Sequence, residues 1–294
     1  MTAEPTAPEW LTEPLSKPAR QSATLVDGCP IAIYEWGSLG DRPIVLLHGG
    51  AGHARWWSHI GPYLADDHHV ITFDWSGHGD SGWREPDDYT REQWCRELFG
   101  VIESVQLRER PLVFGHSMGG LNLITAAHER GDDLAGMVIL DAAVRTPEQV
   151  RDMRPGAVFR NPATYASKEI AQKRYRLVPP QPNGDPALME YISATSLREV
   201  ADGWTWKFDP GAFKVPKSTP IHQQVGELNC PSMLVRCEKS WVLDEASYAL
   251  MRTMCDPQMR HVQMPHAHHH MMIDNPVGTV DVMRTIAALW DWPA

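Results

Sequence analysis

Four short apolar runs constrain what this chain can fold into more than any other feature. Residues 43–47 (PIVLL), 69–73 (HVITF), 111–114 (PLVF) and 136–140 (GMVIL) are continuous rather than alternating, as strands buried on both faces are. Between them, residues 91–105 and 121–128 carry apolar side chains at helical spacing. Alternation of strand and helix makes neighbouring strands parallel, joined by right-handed crossovers. The pattern resumes with residues 232–235, 245–254, 261–264 and 277–290. Ahead of it, two apolar stretches in residues 22–36 flank Asp27-Gly28, a pair suited to a tight hairpin turn, so an antiparallel edge hairpin opens the sheet. The expected class is α/β: a mostly parallel central sheet flanked by helices.

The alternation fails between about residues 145 and 225. Arg154-Pro155-Gly156, Val178-Pro179-Pro180-Gln181-Pro182 and the stretch from Gly203 to Pro210 read as short helices joined by stiff loops. The expected organisation is an N-terminal arm over residues 1–20, a core of residues 21–144 and 226–294, and an inserted helical cap over 145–225. Sites in open parallel sheets lie outside the carboxyl ends of the strands, where such a cap would close over them.

Composition excludes several function classes. A hydrophobic share of 43% with 22% charged residues is that of an ordinary globular protein. The formal charge of −10, without any block of Lys and Arg, argues against nucleic-acid or anionic-membrane partners. With no apolar run of about 18 residues and no basic start followed by an apolar stretch, a cytoplasmic location is expected. Five scattered cysteines without a CxxC pair suggest neither disulfides nor a zinc knuckle. Nothing in the sequence sets an oligomeric state.

The chemistry concentrates in Leu112-Val113-Phe114-Gly115-His116-Ser117-Met118-Gly119-Gly120, a G-x-S-x-G between a strand and a helix. A serine on such a turn is lifted off the sheet, and the flanking glycines let neighbouring segments approach closely. With Leu46-Leu47-His48-Gly49-Gly50-Ala51-Gly52 and Phe73-Asp74-Trp75-Ser76-Gly77-His78-Gly79-Asp80-Ser81, this motif resembles those of the α/β-hydrolase superfamily over roughly residues 22–144 and 228–292. The resemblance implies Ser117 as nucleophile and the amides of Gly50 and Met118 as the oxyanion hole.

It also implies a histidine base shortly after the last strand. Counting back five residues from Asp274-Asn275-Pro276 selects His269, with His270 second and His266 and His268 close by. A metal site in this His cluster is not expected, since no Asp, Glu or Cys spacing accompanies it. The triad acid departs from the commonest pattern: Ser240 and Trp241 stand where most relatives carry Asp. Asp141, at the tip of the strand after the nucleophile helix, is the preferred acid, with Glu238 and then Asp244 as alternatives.

These residues together imply two-step acyl transfer on an ester or lactone of a fairly apolar small molecule, with no cofactor. His48, Gly49, His116, Trp204, Trp206 and Trp241 are the expected pocket residues, with Phe208 near them in the cap. The same fold could instead run carbon-carbon hydrolysis, lyase or cofactor-independent oxygenase chemistry, or bind a ligand without catalysis.

Overall fold

The computed structural model describes residues 7–85, 88–152, 162–182, 184–213 and 221–292, the side chains of 150–152 excepted. Ten strands are present among them: β1 (Arg20–Val26), β2 (Cys29–Trp36), β3 (Arg42–Leu47), β4 (His68–Phe73), β5 (Leu112–His116), β6 (Gly136–Leu140), β7 (Leu197–Val200), β8 (Gly203–Trp206), β9 (Ser232–Cys237) and β10 (Arg260–Met264). Eight form one sheet in the order β1-β2-β4-β3-β5-β6-β9-β10. From β4 to β10 every neighbouring pair is parallel, while β1–β2 and β2–β4 are antiparallel. The hairpin closes at Asp27 and Gly28, with φ of 48° and 76°, the left-handed pair that matches strand twist.

Period-two alternation divides each central strand between two cores. Val45, Leu47, Val113, Met137 and Ile139 face one layer, where they meet the helices Arg91–Ser104 and Met118–Arg130. Ile44, Leu46, Leu112, Phe114, Val138 and Leu140 face the other, against the helix Pro276–Leu289. Because both faces are covered, the strands read as unbroken apolar runs.

The segment between β6 and β9 carries the helices Lys168–Arg174 and Pro186–Thr195, and also a two-stranded ribbon of β7 and β8 that the sequence reading expected as helix and loop. Ala201 and Asp202 form the turn between the paired residues Val200 and Gly203, and Gly203 sits at φ 133°. This segment touches the loops at the carboxyl ends of the strands: Phe208 bridges to His78, the Gly79 amide donates to Lys207, and Gln181 accepts from the His270 amide. The turn at Arg154-Pro155-Gly156 lies outside the described residues. In the N-terminal stretch, the helix Glu9–Leu15 buries Leu11 against the second core, and Trp36 Nε1 donates to the Lys17 carbonyl. The arm is thus docked at its described end. None of the described helices is long and apolar enough to cross a membrane.

Candidate active site

Ser117 sits between β5 and the helix Met118–Arg130 with φ 52° and ψ −118°, a strained conformation for a side-chain-bearing residue. The turn needs its glycines. A Cβ on Gly115 would lie 2.7 Å from the Gly119 carbonyl oxygen, and one on Gly119 would lie 2.7 Å from that of His48. Ser117 occupies the N-cap position, yet its hydroxyl makes no cap hydrogen bond. The stabilisation a serine cap ordinarily gives, about 1 kcal/mol, is forgone because the hydroxyl points elsewhere.

It points to His269. Ser117 Oγ lies 3.0 Å from His269 Nε2, and His269 Nδ1 lies 2.8 Å from Asp141 Oδ2. A carboxylate only accepts, so Nδ1 carries the imidazole proton and Nε2 is left to accept from the serine hydroxyl. Asp141 is fully buried, and its other oxygen accepts from the Cys237 amide at 2.8 Å. The residue follows β6 with φ 48°, a left-handed position that Asp tolerates better than most residues, and its amide donates to Val235 on β9. That bend aims the carboxylate across to the loop after β10.

The turn holding His269 is fixed on both sides. Asp274 accepts from the His268 amide and ring, and Asn275 caps the Gly278 amide of the last helix. His116 Nε2 donates to the His269 carbonyl at 2.9 Å, and Gln181 accepts from the next amide. The Asp-Asn-Pro turn therefore sets which histidine faces the serine. His270 instead packs edge-on against Trp56, and His266 faces Glu238.

Gly50 and Met118 lie together: a Cβ on Gly50 would stand 3.9 Å from Met118 Cβ. Neither amide has a hydrogen-bond acceptor among the described residues, leaving both free to bind an oxyanion. The Gly50 loop is held by His48, whose Nδ1 donates to the Gly49 carbonyl while Nε2 accepts from the Trp75 amide. Asp74 braces the same loop, accepting from the amides of Ala54 and Asp80. Its burial pushes the carboxyl up to about 7.

A cavity of about 250 Å³ opens beside Gly50. Trp56, Tyr175, Trp206 and Phe208 give it an aromatic lining, and Arg174, Arg176 and Lys207 stand around it. Of the expected pocket residues, Trp206 lines this cavity, as does Phe208 from the cap; His48, Gly49, His116, Trp204 and Trp241 do not. His48 and His116 are buried in the framework beneath it, Gly49 packs against His116, Trp204 pairs with Tyr165, and Trp241 is 59% exposed with its indole on the Pro180 carbonyl. Tyr175 and His53 were missed; they reach the cavity through loop folding that leaves no periodic trace. The alternative acids stand apart from His269. Glu238 accepts from the His266 amide, and Asp244 caps the helix Glu245–Met254 through the Ser247 amide.

Comparison with known proteins agrees with this architecture. The chain is 24% identical over 268 residues to an esterase of Mycobacterium tuberculosis, covering 87% of this chain and 86% of that protein. It is 23% identical over 265 residues to Lipase 1 of Psychrobacter immobilis, covering 89% and 81%. Among solved structures, E-2-(acetamidomethylene)succinate hydrolase superposes with a TM-score of 0.79 at 18% identity, over 92% of this chain and 99% of that one. A thioesterase domain from the curacin biosynthetic pathway gives 0.78 at 16% identity, over 91% and 99%; at such identities these two show the fold alone. The family model described as the alpha/beta hydrolase family matches residues 44–282, and the chain belongs to that family.

Proposed function

We propose that this protein is a serine hydrolase that cleaves an ester or lactone of a fairly apolar small molecule by acyl transfer. One observation carries the reading: an unbroken chain of contacts from Ser117 Oγ, through both nitrogens of His269, to the buried carboxylate of Asp141. In the first step Ser117 Oγ attacks the carbonyl carbon as its proton passes to His269 Nε2. Asp141 orients the imidazole and stabilises the imidazolium that forms. The amides of Gly50 and Met118 receive the negative charge on the carbonyl oxygen. Collapse expels the alcohol, which takes the proton from His269, and water then resolves the acyl-enzyme by the same route.

The aromatic lining beside Gly50 supports an apolar substrate. The segment 145–225 acts as a cap in this reading, contributing Tyr175, Trp206 and Phe208 to that lining. The esterase and lipase relatives support ester chemistry. Turnover of p-nitrophenyl butyrate by folded wild type, Ser117→Ala, Asp141→Asn and Glu238→Gln tests the assignment. Losses of roughly a thousandfold or more are expected for the first two variants, with Glu238→Gln within a few-fold of wild type. Absence of wild-type turnover on a panel of esters and lactones would overturn it.

A further inference from the structure

We propose that His116, His269 and His270 form a binding site for a transition-metal dication such as zinc, placed where the ion shuts off the nucleophile. One ring nitrogen from each lies within 4.8 Å of one from each of the others. The ring centres stand 4.8 Å apart for His116–His269, 4.8 Å for His269–His270 and 5.5 Å for His116–His270. Three imidazoles on one tetrahedral zinc have ring centres about 5 Å apart, because each ligand nitrogen lies about 2 Å from the ion. Their ligand nitrogens would be about 3.3 Å apart, so binding draws the nitrogens together by up to about 1.5 Å.

His116 and His270 each keep an unspent ring nitrogen: Nδ1 of both is buried and has no hydrogen-bond partner among the described residues. Their rings are 1% and 2% exposed residues, and an orphaned buried acceptor is the group that a proton donor or a cation satisfies. His116 Nδ1 lies on the nucleophile's side of its ring: a Cβ on Gly49 would be 2.9 Å from it and 3.1 Å from Ser117 Cβ. His269 can offer Nε2, since Asp141 holds its Nδ1. Three neutral imidazoles leave a fourth tetrahedral position for water or Ser117 Oγ, the donor set that zinc, copper and cobalt accept. No ligand spacing in the sequence announces this site, because His116 stands 153 residues before His269.

An ion bound there occupies the lone pair of His269 that would accept the Ser117 proton. This inhibitory consequence rests on the proposed function; the binding does not. The probe is cobalt(II) added to the full chain, which gains intense visible absorption bands in tetrahedral nitrogen coordination, followed by titration with zinc. Wild type is expected to show the bands and to lose them stoichiometrically to zinc. His270→Gln and His116→Asn, each verified as folded by circular dichroism, should bind at least tenfold more weakly. His266→Ala, at the exposed turn beside Glu238, should bind as wild type does. Wild-type ester turnover should fall over the zinc range that displaces cobalt and return with a chelator. Lack of cobalt and zinc binding by wild type overturns the proposal. So does equal binding by His270→Gln and His116→Asn, or loss of binding in His266→Ala alone. Binding is read on the protein itself, so a failed metal site and a failed esterase assignment give different results.

Discussion

Lowering the pH from 7 to 5 is expected to remove a large part of this fold's stability through its buried histidines. Burial pushes His53 and His270 down to about 3, and His59 and His78 down to about 4. It holds His48 and His116 well below their ordinary range. In the unfolded chain each titrates near 6.5, so below that pH the unfolded state takes up protons that the folded state refuses. The stability these groups confer is full above about pH 6.5 and drains as pH falls toward the folded values. At pH 5 each of the four with a stated value costs about 2 kcal/mol relative to pH 7, or about 8 kcal/mol together.

Asp74 acts in the opposite sense. Its carboxyl, raised to about 7 by burial, takes up a proton in the folded state well before the unfolded one does near 3.8. That returns about 2 kcal/mol by pH 5. The net loss from these five groups is about 6 kcal/mol, against a total of about 5–15 kcal/mol for an ordinary domain; His48 and His116 add to it with the same sign, and Glu97, whose carboxyl burial also pushes up, offsets part of it. Urea denaturation at pH 7, 6 and 5 measures this loss. His59→Gln, which keeps a donor for the Met272 carbonyl, should reduce the slope below pH 6 by about 1 kcal/mol per pH unit. Stability constant within about 1 kcal/mol from pH 7 to 5 would refute the assignment of these histidines as neutral.

Other perturbations follow from the same contacts. Arg84→Leu strands the fully buried Glu97, whose carboxyl sits 2.8 Å from the guanidinium, and should cost about 3–5 kcal/mol by chemical denaturation. Pairing it with Glu97→Leu should recover much of that loss, since no uncompensated charge then remains. Gly119→Ala drives a Cβ against the backbone oxygens of His48 and Leu47, so ester turnover should fall at least tenfold as the Met118 amide is displaced from Gly50. Trp206→Ala opens the aromatic cavity and should raise KM for aryl esters several-fold with little change in kcat, separable by steady-state kinetics.

The sheet was readable in advance because strands covered on both faces must be apolar throughout; β3 to β6 appear within one or two residues of the runs in the sequence. The β7–β8 ribbon escaped notice because its strands are short and half-exposed, and Gly203, just after the Ala201-Asp202 turn, was its one cue. The helix Glu9–Leu15 was masked by the prolines around and within it, although Leu11 and Leu15 lie at helical spacing. Around the site, what could be read was whatever a short motif or a turn determines: the serine elbow, and the register of the histidine relative to Asp274-Asn275-Pro276. Asp141 came from the resemblance, since some branches of the superfamily take the acid from that strand tip and positions 240 and 241 here lack a carboxylate. Pocket walls were not readable. His48 and His116 look like site residues by proximity in sequence, but their rings turn inward to hold the loops, and such directions depend on packing between distant segments.

The central claim is that Ser117 is a nucleophile activated by His269 and Asp141, and labelling by a fluorophosphonate followed by intact-mass and peptide mapping tests it most directly. The account predicts one adduct per chain, mapped to Ser117, absent in Ser117→Ala and formed at least a hundredfold more slowly in folded Asp141→Asn. A wild-type protein that stays unlabelled, carries its adduct on another residue, or reacts equally fast as Asp141→Asn would contradict it.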